Sequence, residues 1–253
     1  LSDRETDRSP SVPPRLRAGA AALGIAVVAC VIGVVGILIS GTVLRIANIS
    51  AAPAFSVLRL RSIQVGFAVF AVAFLAWRGD IGQYCKLRIP TIEDAAWIVI
   101  IPLVFAAQGV VLPPVLAALG LPHPNPGGGV QFDLATMPLL WPVAFVGMFV
   151  FAAPAEELVY RGIVQGTLRR AFDTIGIIVL GGVLFGVLHF LVGLITPDVG
   201  TLEALRWGIT TVFPGIVWGY AYERTENLAV TATTHAMGWT ITVHELILKL
   251  VPI

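Results

Sequence analysis

The sequence predicts an all-α fold, a polytopic bundle of about seven transmembrane helices whose N-terminus lies in the cytoplasm. Apolar residues make up 57% of the 253 residues and charged residues only 12%, whereas a soluble domain carries about 25% charged residues. The apolar residues fall into long runs, and Lys and Arg gather in alternate connecting loops. A soluble protein of this size would leave large apolar patches on its surface. The composition therefore excludes a soluble enzyme, a disordered chain and a nucleic-acid-binding protein.

The N-terminal segment, residues 1–17, is rich in Arg and Pro and lacks the apolar residues that a core needs. We expect a disordered cytoplasmic tail there. The first apolar run, residues 18–44, is longer than the roughly 7–15 apolar residues at the centre of a signal peptide. It therefore predicts a transmembrane anchor that the protein retains.

Six further apolar runs follow the first. A bilayer core of about 30 Å takes about 20 helical residues, and backbone groups in lipid must be satisfied within the segment. Each run therefore predicts a spanning helix, although six or eight spans remain alternatives because Pro113 and Pro114 interrupt the third run and the second run is short. The six runs are residues 62–77, for which a start nearer Pro53 is an alternative, 95–119, 138–160, 175–195, 204–222 and 228–251.

The distribution of Lys and Arg supports this topology. The predicted outer loops 121–137 and 196–203 contain neither residue, as expected when positive charge stays in the cytoplasm. The first outer loop breaks the pattern with Arg45, Arg59 and Arg61, which indicates a re-entrant or amphipathic segment, or first spans that are wrongly placed. The predicted inside cations are Arg4, Arg8, Arg15, Arg17, Arg78, Lys86, Arg88, Arg161, Arg169, Arg170 and Arg224.

Ionisable side chains inside a membrane span are costly, so each one marks a candidate functional site. The fourth run ends in two adjacent carboxylates, Glu156 and Glu157, followed by Arg161. Glu157 and Arg161 are four residues apart and can pair along one helix face, which leaves Glu156 without an intrahelical cation. A desolvated carboxylate of this kind has the character of a general base. The alternative is an ordinary helix end with all three groups at the lipid headgroups.

The fifth run contains His189, which shares a helix face with Phe185. If the chain turns just before this run, Asp173 or Thr174 is a suitable N-cap for the new helix. Glu156 and His189 are then equally far from the turn. In an antiparallel helix pair both side chains lie at one depth, about 24 Å from the turn at 1.5 Å per residue.

The last run contains two further histidines. His235 lies about two turns into the run, on the same side of the membrane as the other candidate residues. His244 and Glu245 begin like the zinc-protease motif H-E-x-x-H, but Leu248 takes the place of the second histidine, so the motif is absent. We expect His244 and Glu245 to be structural residues near the outer end of the span.

Three motifs, taken together and in order, resemble those of one protease family. The sequence EELVYR at residues 156–161 fits E-E-x-x-x-R, and FGVLH at residues 185–189 fits F-x-x-x-H. The stretch FPGIVWGYAYERTENLAVTATTHA at residues 213–236 is similar to the family's segment up to its last histidine. Over roughly residues 138–240 the chain resembles the CPBP family, the CAAX-protease and bacteriocin-processing intramembrane endopeptidases.

This resemblance implies a glutamate-dependent intramembrane endopeptidase. By analogy with the family, Glu156 and His189 activate the water that attacks a peptide carbonyl. His235 then helps to stabilise the oxyanion of the tetrahedral intermediate. Glu157 and Arg161 hold the site together.

The resemblance also implies the surroundings of the site. Phe185 and Trp239 are expected to contact the substrate, a membrane-anchored or prenylated peptide. We expect membrane lipid as a partner and no nucleic acid. Residues 18–137 would form the N-terminal transmembrane helices and residues 138–253 the catalytic transmembrane core of an integral, multi-pass protein of a prokaryotic plasma membrane.

The residue four positions after the last histidine departs from the family, which usually carries Asn there. This chain carries Trp239, whose indole N–H is a bulky donor. Trp239 or the neighbouring Thr240 replaces the missing donor, or the oxyanion site is poorer. The departure favours an alternative, a catalytically weak or inactive scaffold or immunity protein on the same fold. A small proton-coupled transporter is a third alternative, which the lack of a duplicated half disfavours.

No cofactor is expected, although a zinc ion is an alternative. Glu156, His189 and His235 could together form a His₂Glu site with one open position. No two residues show the spacing of classical zinc ligands, which favours the metal-free mechanism. Cys30 and Cys85 are too few for a disulfide framework or a zinc ribbon, so we interpret them as a packing residue and a loop residue.

Overall fold

The computed structural model describes residues 12–48, 53–123, 142, 145–196 and 199–240. Within these residues the chain forms helices and no strand, which confirms the predicted all-α fold. The helices are α1 (Pro14–Ile46), α2 (Pro53–Arg78), α3 (Ile81–Tyr84), α4 (Ile92–Ala118), α5 (146–168), α6 (Thr174–Ile195), α7 (Thr201–Thr225) and α8 (Leu228–Thr240).

Three helices are long and apolar enough to cross a membrane: α1 from Pro14 to Val43, α4 and α6. Helix α2 adds a shorter apolar stretch, Ser62–Arg78. Large apolar side chains are exposed along these helices, and lipid is the solvent in which such a surface is stable. The chain is therefore an integral membrane protein, and the count of seven spans stays a prediction. Exposed side chains of this kind include Val31, Leu38, Val69, Val72, Val99 and Leu103.

Helices α1 and α2 form an antiparallel pair that packs through small residues. A Cβ atom added to Gly66 would lie 2.5 Å from the Cα of Gly33, and one added to Gly36 would lie 2.8 Å from the carbonyl oxygen of Ser62. Backbones approach so closely only where side chains are absent, which is a common mode of helix packing in membranes. Ser40 Oγ donates a hydrogen bond of 2.9 Å to Ser62 Oγ across the same interface.

Helix α5 is continuous but changes its geometry along its length. It is π-helical over Val146–Ala152 and Leu158–Val164, and α-helical between and after these segments. Pro154 has no N–H to donate to the carbonyl four residues earlier, at the end of the first π-helical segment. The α-helical turn between the two π-helical segments carries Glu156 and Glu157, and π-helical turns are frequent at functional sites.

Helices α6 and α7 form a second antiparallel pair. The turn before α6 lies where the sequence predicts it, because Asp173 is the N-cap and its Oδ1 accepts a hydrogen bond from the backbone N–H of Gly176 at 2.9 Å. A Cβ atom added to Gly186 would lie 2.7 Å from the carbonyl oxygen of Gly208 in α7. The two backbones are therefore in direct contact beside the helix turn that carries His189.

A polar network joins the loop before α4 to the turn between α7 and α8. Arg88 donates hydrogen bonds of 2.6 and 3.0 Å to Asp94 and one of 2.7 Å to the carbonyl oxygen of Thr225. Asn227 Nδ2 donates to the carbonyl oxygen of Arg88 at 3.1 Å and to Asp94 Oδ2 at 3.3 Å. Asp94 also forms a capping box with Thr91 at the start of α4. The network fixes where α8 begins.

Other cations lie at the same end of the bundle. Arg169 pairs with Glu223 of α7 at 2.5 Å, and Lys86 pairs with Glu226 in the turn that follows α7. The Lys86 ammonium lowers the pKa of the Glu226 carboxyl. These cations belong to loops and helix ends that the sequence assigns to the cytoplasm, so their gathering at one end agrees with the predicted topology.

Helix α4 runs unbroken past Pro113 and Pro114 to Ala118. Arg206 of α7 supports this end of the helix, because its Nη1 donates to the carbonyl oxygen of Leu121 at 2.7 Å and its Nη2 to that of Pro113 at 3.4 Å. The guanidinium thereby ties the last turns of α4, and the residues just after the helix, to α7. The two prolines therefore do not divide the third run into two spans.

The first outer segment is shorter than the interval between the first two apolar runs. Arg45 lies in the last turn of α1, and α2 begins at Pro53, the earlier of the two starts that the sequence indicates. The backbone positions of Arg59 and Arg61 consequently belong to α2. The structure gives no reason for the break in the charge pattern.

Several predictions fall wholly or partly outside the described residues. Helix α1 begins at Pro14, where proline suits the first turn, so the last residues of the tail predicted at 1–17 are helical while residues 1–11 are not described. The loop 121–137 is described only as far as residue 123. His244 and Glu245 lie beyond the last described residue.

Candidate active site

Glu157 is the centre of a buried charged cluster. Its side chain is fully buried, its Oε2 accepts a hydrogen bond of 3.0 Å from Arg161 Nε, and its Oε1 lies 2.8 Å from His235 Nδ1. The predicted pairing of Glu157 with Arg161 is present. An ionised carboxylate only accepts hydrogen bonds, so Nδ1 of His235 carries the proton of this bond. The other ring nitrogen, Nε2, is therefore the one available to a ligand.

Arg161 fastens this cluster to α7. Its Nη1 donates a hydrogen bond of 3.0 Å to the carbonyl oxygen of Gly215, and its guanidinium carbon lies 5.1 Å from the ring centre of Phe185 and 5.9 Å from that of Trp218. The arginine side chain is fully buried. A buried cation is tolerated only where an anion and π faces surround it, so Arg161 and Glu157 depend on each other.

The ring of His235 lies between two indoles. Trp218 stacks on it with ring centres 4.2 Å apart, and Trp239 of the same helix lies 4.3 Å away at a steeper angle. The indole N–H of Trp218 donates to Thr234 Oγ1 at 3.0 Å, which holds that ring in place. Together with Glu157, the two indoles fix the position and the tautomer of His235.

His189 is oriented by its own helix. Its Nδ1 lies 2.8 Å from the carbonyl oxygen of Phe185, and since a carbonyl only accepts, Nδ1 carries the proton. In the neutral ring Nε2 is then the basic nitrogen. The imidazole packs against Phe185 with ring centres 4.5 Å apart and against Trp207 at 5.5 Å.

His189 and His235 line one cavity of about 320 Å³ between α4, α6, α7 and α8. The volume is at the lower end of the roughly 300–1,000 Å³ of small-ligand sites. Phe185 and Trp239, the residues that the sequence assigns to substrate contact, line the same cavity. Further aromatic and apolar lining comes from Pro102, Phe105, Trp207, Pro214, Trp218 and Met237.

One wall of this cavity lacks a helical hydrogen bond because of a proline. Pro214 lies inside α7 and has no N–H for the carbonyl of Thr210, four residues earlier. Gln108 of α4 supplies the missing donor, with its Nε2 at 2.8 Å from that carbonyl oxygen. Gln108 and Pro214 both line the cavity. The wall is consequently held here by a side-chain hydrogen bond rather than by a helical one.

Glu156 lies on the side of α5 that faces α2. Its carboxylate is buried, with 4% of the residue exposed, and its Oε2 accepts a hydrogen bond of 3.3 Å from Gln64 Nε2. It is close enough to His189 for electrostatic interaction, although it is not among the residues that line the cavity. The structure thus places the two imidazoles at the cavity and Glu156 behind them, and the pairing of Glu156 with His189 in water activation stays a prediction.

The three residues of the zinc alternative do not come together in this structure. Within the described parts of the chain, no three His, Cys, Asp or Glu side chains come close enough together to hold a metal ion. Glu156 is hydrogen-bonded to Gln64, and Nδ1 of His235 is occupied by Glu157. In this arrangement no His₂Glu site is formed by Glu156, His189 and His235. Zinc binding stays a prediction, which metal analysis of the purified protein can test.

Residues 138–240 match the family model of the type II CAAX prenyl endopeptidase Rce1-like proteins. This part of the chain is similar to the CAAX proteases. The resemblance of the motifs to the CPBP family is thereby confirmed. The Rce1-like region contains the described parts of α5 to α8 and none of α1 to α4. No curated protein and no solved structure matches the chain.

The Rce1-like region holds every residue that the sequence assigns to the site. The structure joins Glu157, Arg161 and His235 by hydrogen bonds and places His189 on the same cavity as His235. Sequence reasoning missed Gln64 and Gln108, which come from the N-terminal helices. Both are polar residues within apolar runs. A buried amide needs a hydrogen-bond partner just as a buried charge does, so these two positions were also candidates for the site.

Proposed function

We propose that the protein is an intramembrane endopeptidase that hydrolyses a peptide bond of a membrane-anchored or prenylated peptide. The observation that carries the proposal is the pair of histidines, His189 and His235, which line one aromatic cavity in the Rce1-like region, with His235 held by a buried carboxylate. A polar pair of this kind is costly inside a membrane bundle and marks a functional site.

In the proposed mechanism Glu156 and His189 activate water. His189 takes a proton on Nε2 as the water oxygen attacks the peptide carbonyl carbon. The Glu156 carboxylate, which lies within electrostatic range of the ring, stabilises the imidazolium that forms. The imidazolium then returns the proton to the leaving amine nitrogen as the carbon–nitrogen bond breaks.

His235 stabilises the oxyanion of the tetrahedral intermediate. This role requires a proton on both ring nitrogens, with Nδ1–H on Glu157 and Nε2–H directed at the oxyanion. Glu157 supplies the negative charge that such a ring needs, and Arg161 keeps that carboxylate in place. A donor aimed at the developing oxyanion contributes about 3–4 kcal/mol to the rate.

The proposal is tested by adding a fluorescence-quenched, prenylated peptide to the purified protein in liposomes. Glu156→Ala, His189→Ala and His235→Ala should each lower kcat/KM by about 10²–10⁴-fold. Glu93→Ala is a matched control, because it removes an exposed carboxylate at the start of α4. If Glu156→Ala cleaves as well as the wild-type protein, Glu156 takes no part in the activation of water. If no variant differs from the wild type, the site is elsewhere.

The same assay addresses the substrate class. A peptide of identical sequence without the prenyl group should be cleaved more slowly, because the cavity wall is largely aromatic and apolar. Equal kcat/KM values for the two peptides would show that the lipid group is not recognised, while leaving the peptidase activity intact.

A further inference from the structure

We propose that the interface between α2 and α5 holds a buried water molecule bound by Gln64, Tyr160 and Glu156, and that Gln64 and Tyr160 are positioning residues for Glu156. The inference rests on the proposed function for the role of Glu156. Gln64 lies outside residues 138–240, the part of the chain that matches the family model, so the N-terminal helices would contribute to a site whose sequence motifs all lie in α5 to α8.

Only one of the two polar groups of the Gln64 side chain has a hydrogen-bond partner among the described residues. The residue is 5% exposed, and its Nε2 donates to Glu156 Oε2 at 3.3 Å. Its Oε1 is buried and accepts no hydrogen bond from any described residue. Buried amide oxygens in native proteins are usually satisfied by a protein group or by ordered water. A donor is therefore needed at this point.

The hydroxyl of Tyr160 also lacks a hydrogen-bond partner among the described residues, and unlike the Gln64 oxygen it can donate. Tyr160 is fully buried. It follows Glu156 by four residues and interacts with it electrostatically. Its ring packs edge-on against Phe67, with ring centres 6.4 Å apart, and Phe67 lies one turn along α2 from Gln64. The Tyr160 ring also packs against Phe185 of α6 with ring centres 4.9 Å apart, so it lies between α6 and the turn of α2 next to Gln64.

One water molecule satisfies all of these groups. It accepts a hydrogen bond from the Tyr160 hydroxyl and donates one each to Gln64 Oε1 and to the Glu156 carboxylate. Three hydrogen bonds are typical of a buried water. The arrangement orients the Glu156 carboxylate from outside its own helix, which is needed because the neighbouring cation, Arg161, is committed to Glu157.

The inference is tested by the kinetics of Gln64→Met, Tyr160→Phe and the double variant. Each substitution removes the polar group and keeps a side chain of similar size. Each single variant should lower kcat by about ten- to a hundredfold and leave KM unchanged, because neither residue lines the cavity. The double variant should be no slower than the slower single variant, because both residues bind the same water.

Ser40→Ala is the matched control, since it removes a hydrogen bond between α1 and α2 and Ser40 donates to no residue of α5 among the described residues. It should keep kcat within about twofold of the wild type. A wild-type kcat for Gln64→Met overturns the inference, and so do single effects that multiply in the double variant, which indicate two independent packing defects. Full activity of Glu156→Ala would instead overturn the proposed role of Glu156, so the two failures are distinguishable.

Discussion

Among single residues, Glu157 joins two other ionisable side chains of the site. It accepts from Arg161 through one oxygen and from His235 through the other, and Arg161 in turn reaches the carbonyl oxygen of Gly215 in α7. One carboxylate therefore links α5, α7 and α8. Its role in the structure is to hold a cation and an imidazole where neither would be stable alone.

Replacing Glu157 by Gln should destabilise the protein strongly and abolish cleavage. The substitution leaves the Arg161 guanidinium buried without a counter-charge, which costs about 3–5 kcal/mol. The midpoint of thermal unfolding in detergent measures this loss. Glu226→Gln is the control, because its pairing with Lys86 is partly exposed and such pairs contribute about 0–1 kcal/mol. Equal midpoints for the two variants would contradict the structural role of Glu157.

Trp239→Asn distinguishes an active peptidase from an inactive scaffold or immunity protein. Trp239 lies against His235 and lines the cavity, where the family usually carries Asn. We expect kcat to change by less than about tenfold and KM to rise, because an apolar wall is lost. A large gain in kcat measured with the prenylated peptide would show that the native oxyanion site is impaired and would favour the scaffold alternative.

Among the elements, the pair α6 and α7 sets the position of His189. At Gly186, three residues before the histidine, the two backbones approach so closely that a methyl group would meet the carbonyl oxygen of Gly208 at 2.7 Å. Space for a side chain is absent on both sides of this contact. The position of the His189 imidazole therefore depends on Gly186 and Gly208, which allow α6 and α7 to pack in direct backbone contact.

Gly186→Ala should lower both the unfolding midpoint and kcat. The added methyl group forces α7 away from α6, and overpacking of this kind costs about 1–3 kcal/mol. Gly147→Ala is the control, since a Cβ atom there meets nothing within 4 Å and alanine favours a helix. Circular dichroism melts and the peptide assay measure the two effects. If both variants melt alike, the α6–α7 contact is looser than the structure indicates.

The elements also show what the sequence could and could not predict. The turn at Asp173 followed from one capping residue between two apolar runs, and the Glu157–Arg161 pair followed from helix periodicity. The π-helical segments of α5 were not predictable, because a π-helical turn depends on tertiary contacts that outweigh a local preference. The contact between Gln64 and Glu156 joins residues far apart in sequence, and no pattern within one helix encodes it.

For the whole molecule, polar contacts gather at the end that the sequence assigns to the cytoplasm. Arg88 and Asn227 bind each other and Asp94, and Arg169 binds Glu223. The predicted boundary at residue 138 separates residues that meet at the site. Gln64, which contacts Glu156, and Gln108, which lines the cavity, both precede this boundary. The distribution of Lys and Arg predicted which loops lie on the same side of the membrane. The contacts between these loops could be identified only from the structure.

Cysteine labelling tests this topology. Cys85 lies in the loop before α4 and is partly exposed, whereas Cys30 is buried in α1. A membrane-impermeant maleimide should modify Cys85 in inverted vesicles and not in right-side-out vesicles. Burial raises the pKa of the Cys85 thiol, so the reaction should be run at alkaline pH. Gly200→Cys on a Cys85→Ser background should show the opposite sidedness, and the same sidedness for both would refute seven spans.

The missing N–H of Pro214 makes the contact between α4 and α7 a polar one. If α4 moved away from α7, the carbonyl oxygen of Thr210 would lose the amide of Gln108 and face hydrocarbon, which is unfavourable for a polar atom. This hydrogen bond therefore opposes separation of the two helices beside the cavity that both of them line.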